Sequence, residues 1–151
     1  MNAELLDRNR AFAAAGAHEG AVMFPALGLF VVTCLDPRVD PAHVLGLGLS
    51  DAMVVRNAGG RVTPEVIADV SFIAGIAERA VPEGPLFEVA VIHHNQCGAA
   101  LRDPELLDPA ATVVADVERL RSADGVSPRV RLSGHVYDVT TGLVETVVPA
   151  V

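Results

Sequence analysis

The stretch LFVVTC, residues 29–34, decides the fold class. It is an unbroken apolar run rich in Phe and Val, which is typical of a β-strand buried on both faces, and such strands occur mainly in parallel sheets. Two further short runs, Ala52–Val55 and Leu86–His93, have the same character. Segments with helical patterns lie between these runs. The alternation of strands and helices predicts an α/β fold built from βαβ units.

Four helices and a final hairpin complete the predicted architecture. The helices are expected at residues 2–16, Pro41–Leu47, Pro64–Ala80 and Pro109–Leu120. The last three each begin at a proline that follows Asp or Thr, and both features favour a helix start. Two strands, Val130–Val139 and Leu143–Val148, are joined by Thr-Thr-Gly and form the hairpin. No internal repeat or linker divides the chain, so a single domain over residues 1–151 is expected.

Composition and charge exclude several classes of partner. The 151 residues carry 11 basic and 19 acidic side chains, a formal net charge of −8 at pH 7. Nucleic acid and anionic membranes need the opposite balance, so neither is an expected partner. The longest uncharged run, Ala21–Leu35, contains Pro25 and Gly28 and is shorter than the ~20 residues of a membrane-spanning helix. No membrane segment and no secretory signal are expected, and we predict a cytoplasmic protein.

Apolar content and cysteine count add two expectations. Apolar residues make up 51% of the chain and the mean hydropathy is +0.41, which excludes disorder and predicts apolar surface that meets a partner subunit. We therefore expect a homodimer or a higher homo-oligomer. The chain has 2 cysteines, and in a reducing compartment a cysteine pair favours metal binding or catalysis over a disulfide.

Two short motifs carry the candidate chemistry: CLDPR at residues 34–38 and HNQCG at residues 94–98. Each follows a buried strand at its carboxyl end, where open α/β sheets place their ligand crevice. If the first and third strands are neighbours, Cys34, His94 and Cys97 converge. A Cys₂His set leaves a fourth position for water or a carboxylate, which is the pattern of a catalytic zinc site. A small buried hydrophobic role for the cysteines, or a disulfide between them, is the structural alternative.

Asp36 is the carboxylate nearest in sequence to a thiol ligand, and two roles stay open for it. It could bind the metal directly as a fourth ligand and close the site. Alternatively, it could pair with Arg38, whose guanidinium can bind both carboxylate oxygens. Asp36 would then accept a hydrogen bond from zinc-bound water. The two states predict opposite effects on activity.

Three motifs occur in order between Cys34 and Gly98: Cys-x-Asp-x-Arg, an Arg-Asn-Ala-Gly turn at Arg56–Gly59, and His-x-x-Cys-Gly. In these motifs the chain resembles the β-class carbonic anhydrases, and the segment at residues 134–138 does so more loosely. The resemblance implies that Cys34, His94 and Cys97 are zinc ligands and that Asp36 and Arg38 form a dyad beside the fourth position. It also implies a mostly parallel central sheet, with about four parallel strands and an antiparallel edge strand flanked by helices, and an obligate dimer.

The implied function is a zinc-dependent carbonic anhydrase, in which a zinc-bound hydroxide converts carbon dioxide reversibly to bicarbonate. Asp36 would orient the hydroxide, and Arg38 would hold Asp36 off the metal. A carbon disulfide or carbonyl sulfide hydrolase on the same site is an alternative, because both substrates are linear, apolar and electrophilic at carbon. A non-catalytic zinc- or bicarbonate-binding dimer is another. A short N-terminal arm and a departure from the family pattern at Gln96 motivate that hypothesis. Asn95 also differs from the usual hydroxyl residue of the family.

The remaining candidates have weaker signals. Strand alternation turns His93 to the face opposite its neighbour His94, so a packed or surface residue is expected there. His43 is expected to be an ordinary solvated side chain. The turn at Arg56–Gly60 lacks the spacing of a phosphate-binding loop, and we expect its small residues to pack against the metal site of its own or the partner subunit.

Overall fold

The computed structural model describes all residues, 1–151, and contains one five-stranded sheet in the order β2-β1-β3-β4-β5. The strands are β1 (Leu29–Cys34), β2 (Ala52–Asn57), β3 (Glu88–His94), β4 (Arg131–Tyr137) and β5 (Val144–Val148). The first four are parallel, and β5 pairs antiparallel with β4. The predicted α/β class with a mostly parallel sheet and an antiparallel edge strand is therefore confirmed.

The strand order reverses between β1 and β3, which are neighbours in the sheet although β2 lies between them in sequence. Leu29 at the start of β1 pairs with Glu88 at the start of β3. The two strands therefore run in register, and their carboxyl ends meet at one edge of the sheet. This position is the topological switch point, where open α/β sheets form a crevice.

The helices are α1 (Ala3–Ala14), α2 (Pro41–Val44), α3 (Pro64–Ala80) and α4 (Pro109–Arg121). Each begins after a capping side chain that accepts a backbone N–H: Asn2, Asp40, Thr63 and Asp108, respectively. These caps satisfy amide groups that have no partner inside the helix. None of the helices combines the length and apolar content needed to cross a bilayer.

Two apolar clusters pack on opposite faces of the sheet. The larger joins α3 and α4 to the inward residues of the strands and contains 14 buried residues. The smaller contains 8, and Cys34 and Cys97 are among them. The candidate ligands therefore lie at the edge of an apolar cluster. In contrast, α1 buries none of its residues against this chain.

Element ends differ from the predictions by a few residues, for local reasons. The short helix α2 ends at Val44 instead of Leu47, because Gly46 adopts a left-handed φ of 67° that no helix continues. The second strand extends to Asn57 instead of Val55, since Cys34 at the end of β1 pairs with Asn57. The third strand starts two residues later than predicted, at Glu88, and includes His94.

Candidate metal centre

Three buried side chains meet at the switch point. Cys34 is the last residue of β1, His94 is the last residue of β3, and Cys97 follows three residues later. Their exposures are 3%, 2% and 7%, and their ligand atoms all lie within 4.8 Å of one another. The parallel pairing of β1 and β3 thus brings together residues that are 60 or more positions apart, as the sequence analysis anticipated for neighbouring strands.

The two sulfurs have the spacing of a shared metal rather than of a disulfide. Both cysteines are free, and Sγ of Cys34 lies 3.8 Å from Sγ of Cys97. A disulfide would place them ~2.05 Å apart. Two thiolates on one tetrahedral zinc, each ~2.3 Å from the metal, lie about 3.8 Å apart. The donor set and its spacing therefore fit a zinc ion.

The imidazole of His94 is also oriented to bind a metal ion. Its Nδ1 lies 2.8 Å from the backbone oxygen of Asn95. A carbonyl oxygen can only accept, so Nδ1 carries a proton, and in the neutral form that binds a metal the lone pair of the ring is on Nε2. That Nε2 atom is buried and has no hydrogen-bond partner. An unpartnered buried acceptor is costly unless it receives a ligand, and a metal ion satisfies it.

The thiols are set to lose protons unequally. Burial raises the pKa of Cys34, but the neighbouring imidazole of His94 and the backbone N–H groups of Asp36 and Gly59 outweigh it and lower the pKa to about 7. Burial raises the pKa of Cys97, and the adjacent Cys34 raises it further. Cys34 is therefore the first thiolate of the pair. Metal binding requires both to be deprotonated and releases those protons.

Asp36 and Arg38 form a two-pronged ion pair beside these ligands. Nε of Arg38 donates to Oδ1 of Asp36 at 3.0 Å, and its terminal nitrogen donates to Oδ2 at 2.7 Å. The same terminal nitrogen donates to the backbone oxygen of Gln96 at 3.0 Å. The hydrogen bond from Arg38 lowers the pKa of Asp36 to about 2. In this structure Asp36 is an anion held by Arg38, outside the cluster of three ligand atoms.

Arg56 fixes the loop that carries these residues, a role that the sequence analysis missed. Its guanidinium donates to the backbone oxygens of Cys34 at 3.0 Å and Asp36 at 2.7 Å. A third bond, 2.6 Å long, joins it to Asp40. The turn that follows Arg56 packs on Cys34, because a Cβ on Gly60 would lie 2.8 Å from the Cys34 nitrogen. The expectation that this turn packs against the ligand site is therefore confirmed.

A second polar network lies behind the ligands and was also missed. His93 is completely buried on the opposite face from His94, with Nδ1 3.0 Å from the hydroxyl of Thr112 and Nε2 3.3 Å from Oδ2 of Asp116. Asp116 is also completely buried. It accepts from Nε of Arg61 at 2.8 Å and from the N–H of Val62 at 3.0 Å. This network connects α4 to the segment after β2. Elsewhere, the side chain of His43 is exposed, as predicted.

These residues occur in a known family. A family model described as carbonic anhydrase matches residues 29–123. The chain belongs to the β-carbonic anhydrase family. Members of this family are zinc enzymes, and the Cys-His-Cys group described above can bind that metal. The family and its members support carbonic anhydrase activity.

The relatives include carbonic anhydrases and a carbon disulfide hydrolase. β-Carbonic anhydrase 1 of Mycobacterium tuberculosis is 29% identical over 147 residues, covering 84% of this chain and 86% of that protein. The crystal structure of carbonic anhydrase from Streptococcus mutans has a TM-score of 0.70 and 29% identity, covering 97% of this chain and 99% of that one. Carbon disulfide hydrolase of Saccharolobus solfataricus is 36% identical over 70 residues, covering 46% of this chain and 31% of that enzyme.

Proposed function

We propose that this β-carbonic anhydrase hydrates carbon dioxide reversibly to bicarbonate on a zinc ion held by Cys34, His94 and Cys97. The observation that carries the proposal is the grouping of these three buried ligand atoms within 4.8 Å at the switch point of the sheet. The set uses three protein ligands, which is the number typical of catalytic zinc sites and leaves one position for water.

Zinc bound at such a site lowers the pKa of water from 15.7 to about 7 and supplies hydroxide near neutral pH. Asp36 would accept a hydrogen bond from that hydroxide and so orient it. Its Oδ1 already accepts two hydrogen bonds from Arg38, whereas its Oδ2 accepts one, so Oδ2 has the greater remaining capacity. Because the pKa of Asp36 is about 2, the carboxylate stays an acceptor throughout the neutral range and fixes the direction of the oxygen lone pair.

Arg38 keeps Asp36 in that role. The guanidinium holds both carboxylate oxygens and is itself held by the carbonyl of Gln96. We propose that this pairing keeps Asp36 from becoming a fourth metal ligand. Carbon dioxide offers no charged group to bind, and the apolar cluster around Cys34 and Cys97 is a suitable neighbour for a linear apolar molecule.

The decisive test is Cys34→Ser, measured for metal content and for stopped-flow carbon dioxide hydration in the same sample. The variant should lose zinc and activity together, because the hydroxyl is a poor zinc ligand at neutral pH. Leu35→Ala is the matched control, since Leu35 is adjacent but 59% exposed, and it should retain both. Retained hydration in a metal-depleted Cys34→Ser sample would reject the assignment.

The dyad has its own test, Arg38→Ala. Without the guanidinium, Asp36 is free to close the fourth position, and hydration should be slow at neutral pH and rise as hydroxide competes at alkaline pH. Zinc content should stay stoichiometric. A rate constant that is unchanged between neutrality and mild alkalinity would contradict the proposed role of Arg38.

Hydrolysis of carbon disulfide is the second candidate, because a relative named carbon disulfide hydrolase shares 36% identity over 70 residues. Both reactions use the same nucleophile on a linear apolar molecule with an electrophilic carbon. Assays of sulfide release and bicarbonate formation on one preparation separate them. Faster turnover of carbon disulfide than of carbon dioxide would replace the first proposal by the second.

We further propose a homo-oligomer, at least a dimer, of a single cytoplasmic domain covering residues 1–151. Apolar side chains exposed on α1 support the oligomer: Leu5, Leu6 and Phe12 are 46%, 42% and 41% exposed. Two free thiols 3.8 Å apart support a reducing compartment. Light scattering of the wild type and of Leu6→Glu should show a dimer or larger species that dissociates in the variant. A monomeric wild type would contradict the proposal.

A further inference from the structure

The turn between His94 and Cys97 is anchored to the neighbouring hairpin by one residue, Asn95. Its side-chain Oδ1 accepts the backbone N–H of Val139 at 2.9 Å, and its own N–H donates to the backbone oxygen of Tyr137 at 3.3 Å. Tyr137 is the residue paired with His94 at the end of the β3–β4 ladder. Asn95 therefore continues that pairing past the last strand residue, with a side-chain oxygen in place of a backbone acceptor.

The same peptide holds the imidazole ring. The backbone oxygen of Asn95 accepts the Nδ1 proton of His94 at 2.8 Å, while Nε2 of that ring has no partner. If the carbonyl moves, the ring loses the contact that fixes both its rotation and the nitrogen that bears the proton. Removing the hydrogen-bond partner of a metal-ligating histidine commonly weakens metal affinity 10–100-fold.

We propose that Asn95 is a positioning residue for the metal site: the Val139 N–H fixes its side chain, and its carbonyl thereby keeps the His94 ring in the tautomer and orientation that bind the metal. This inference rests on the proposed function, because it takes His94 as a ligand. It also gives a physical role to Asn95, a position at which the family usually has a hydroxyl residue.

The adjacent contact supplies a matched control. Nε2 of Gln96 donates to the hydroxyl of Thr140 at 3.1 Å, so it joins the same turn to the same hairpin. Both side chains are exposed, and neither holds the His94 ring. Thr140→Val therefore removes a turn–hairpin hydrogen bond of similar length without disturbing the Asn95 anchor.

A rescue variant follows from the neighbourhood of the amide. The hydrogen bond from the N–H of Thr140 and the nearby amide of Asn95 lower the pKa of Asp138. Exchanging the two groups in Asn95→Asp/Asp138→Asn keeps an oxygen acceptor for the Val139 N–H and restores one amide and one carboxylate to the pair. It should therefore bind zinc as the wild type does.

The test measures zinc affinity by chelator competition and the visible spectrum of the Co²⁺-loaded protein. Asn95→Leu, which keeps the size but not the acceptor, should bind zinc at least ~10-fold more weakly and show a shifted Co²⁺ spectrum. Thr140→Val and the exchange variant should match the wild type in both. Asn95→Ala, which removes the acceptor for the Val139 N–H without adding bulk, should behave like Asn95→Leu and decides the matter if the leucine variant does not fold.

A merely structural role for Asn95 has a different signature. It would lower the unfolding temperature of the metal-free protein and leave the zinc-induced rise in that temperature unchanged. Wild-type zinc affinity in Asn95→Leu or Asn95→Ala would overturn the inference. Failure of the proposed function is distinguishable, because the wild type itself would then bind no stoichiometric zinc.

Discussion

Substitution of Gly60 by alanine tests how tightly the turn after β2 holds the first ligand. Gly60 has a φ of 68°, and a Cβ at this position would lie 2.8 Å from the backbone nitrogen and 2.9 Å from the carbonyl carbon that flank the Thr33–Cys34 peptide bond. Ordinary contact begins at 3.4 Å, so the backbone must separate by about 0.6 Å. Metal ligands tolerate displacements of only ~0.2 Å. Gly60→Ala should therefore weaken zinc binding ~10-fold or more.

The variant Gly46→Ala is the matched control for backbone strain. Gly46 has nearly the same φ, 67°, but nothing lies within 4 Å of its Cβ position. Both variants should lose ~1–2 kcal/mol of unfolding free energy from the left-handed conformation, and Gly60→Ala should lose ~1–3 kcal/mol more from overpacking. Urea unfolding of the metal-free proteins and chelator competition measure the two effects. Equal zinc affinities in the two variants would refute the reasoning.

Three further outcomes are expected. Burial raises the pKa of Asp116, but the neighbouring His93 imidazole and hydrogen bonds from Arg61 and the Val62 N–H outweigh it and lower the pKa. The stabilisation is therefore complete above the unfolded value of ~3.9 and is lost as the pH falls through the lower folded value. Asp116→Asn should cost ~3 kcal/mol at neutral pH and flatten the acid limb of urea-unfolding free energies, whereas an unchanged limb would exclude this role. Asp36→Asn should lower kcat/KM for hydration ~100-fold with zinc content unchanged by metal analysis, and near-normal turnover would contradict the acceptor role. Removing zinc with a chelator should lower the calorimetric Tm. If zinc had been at 1,000 times its Kd, its removal should reduce the free energy of unfolding by ~4 kcal/mol. An unchanged Tm would show that zinc does not bind the folded state.

Local signals explain why parts of the fold were predictable. The strand β1 and the helix α3 have the predicted bounds, Leu29–Cys34 and Pro64–Ala80. The first is a continuous apolar run between polar and glycine-containing segments. The second begins with a Thr cap followed by proline, and both signals lie within a few residues of the helix start. Short-range chemistry of this kind is fully contained in the sequence.

Long-range contacts explain what was missed. Arg56 binds the carbonyls of Cys34 and Asp36 from a neighbouring strand, and no local pattern specifies where a guanidinium reaches across a sheet. Asp116 left a weak signal. It lies on the same face of α4 as Val113, Val117 and Leu120, which are buried. A carboxylate within an apolar helical stripe indicates a buried partner, although the stripe alone does not say that Arg61 supplies it.

The ligand set could be predicted in part from local signals and in part only from long-range contacts. The sequence places Cys34 and His94 at strand ends, but their convergence depends on β1 and β3 being adjacent. The register of that pair, with Leu29 opposite Glu88, is a property of the whole sheet. The spacing of three ordered motifs indicated the arrangement through a family resemblance, and the strand order supplies its physical reason.

X-ray absorption at the zinc edge of the purified wild-type protein tests the metal site most directly. It should show two sulfur neighbours at ~2.3 Å and two nitrogen or oxygen neighbours at ~2.0–2.1 Å, as expected for two thiolates, one imidazole and one exchangeable oxygen ligand. A first shell of nitrogen and oxygen alone would contradict the account.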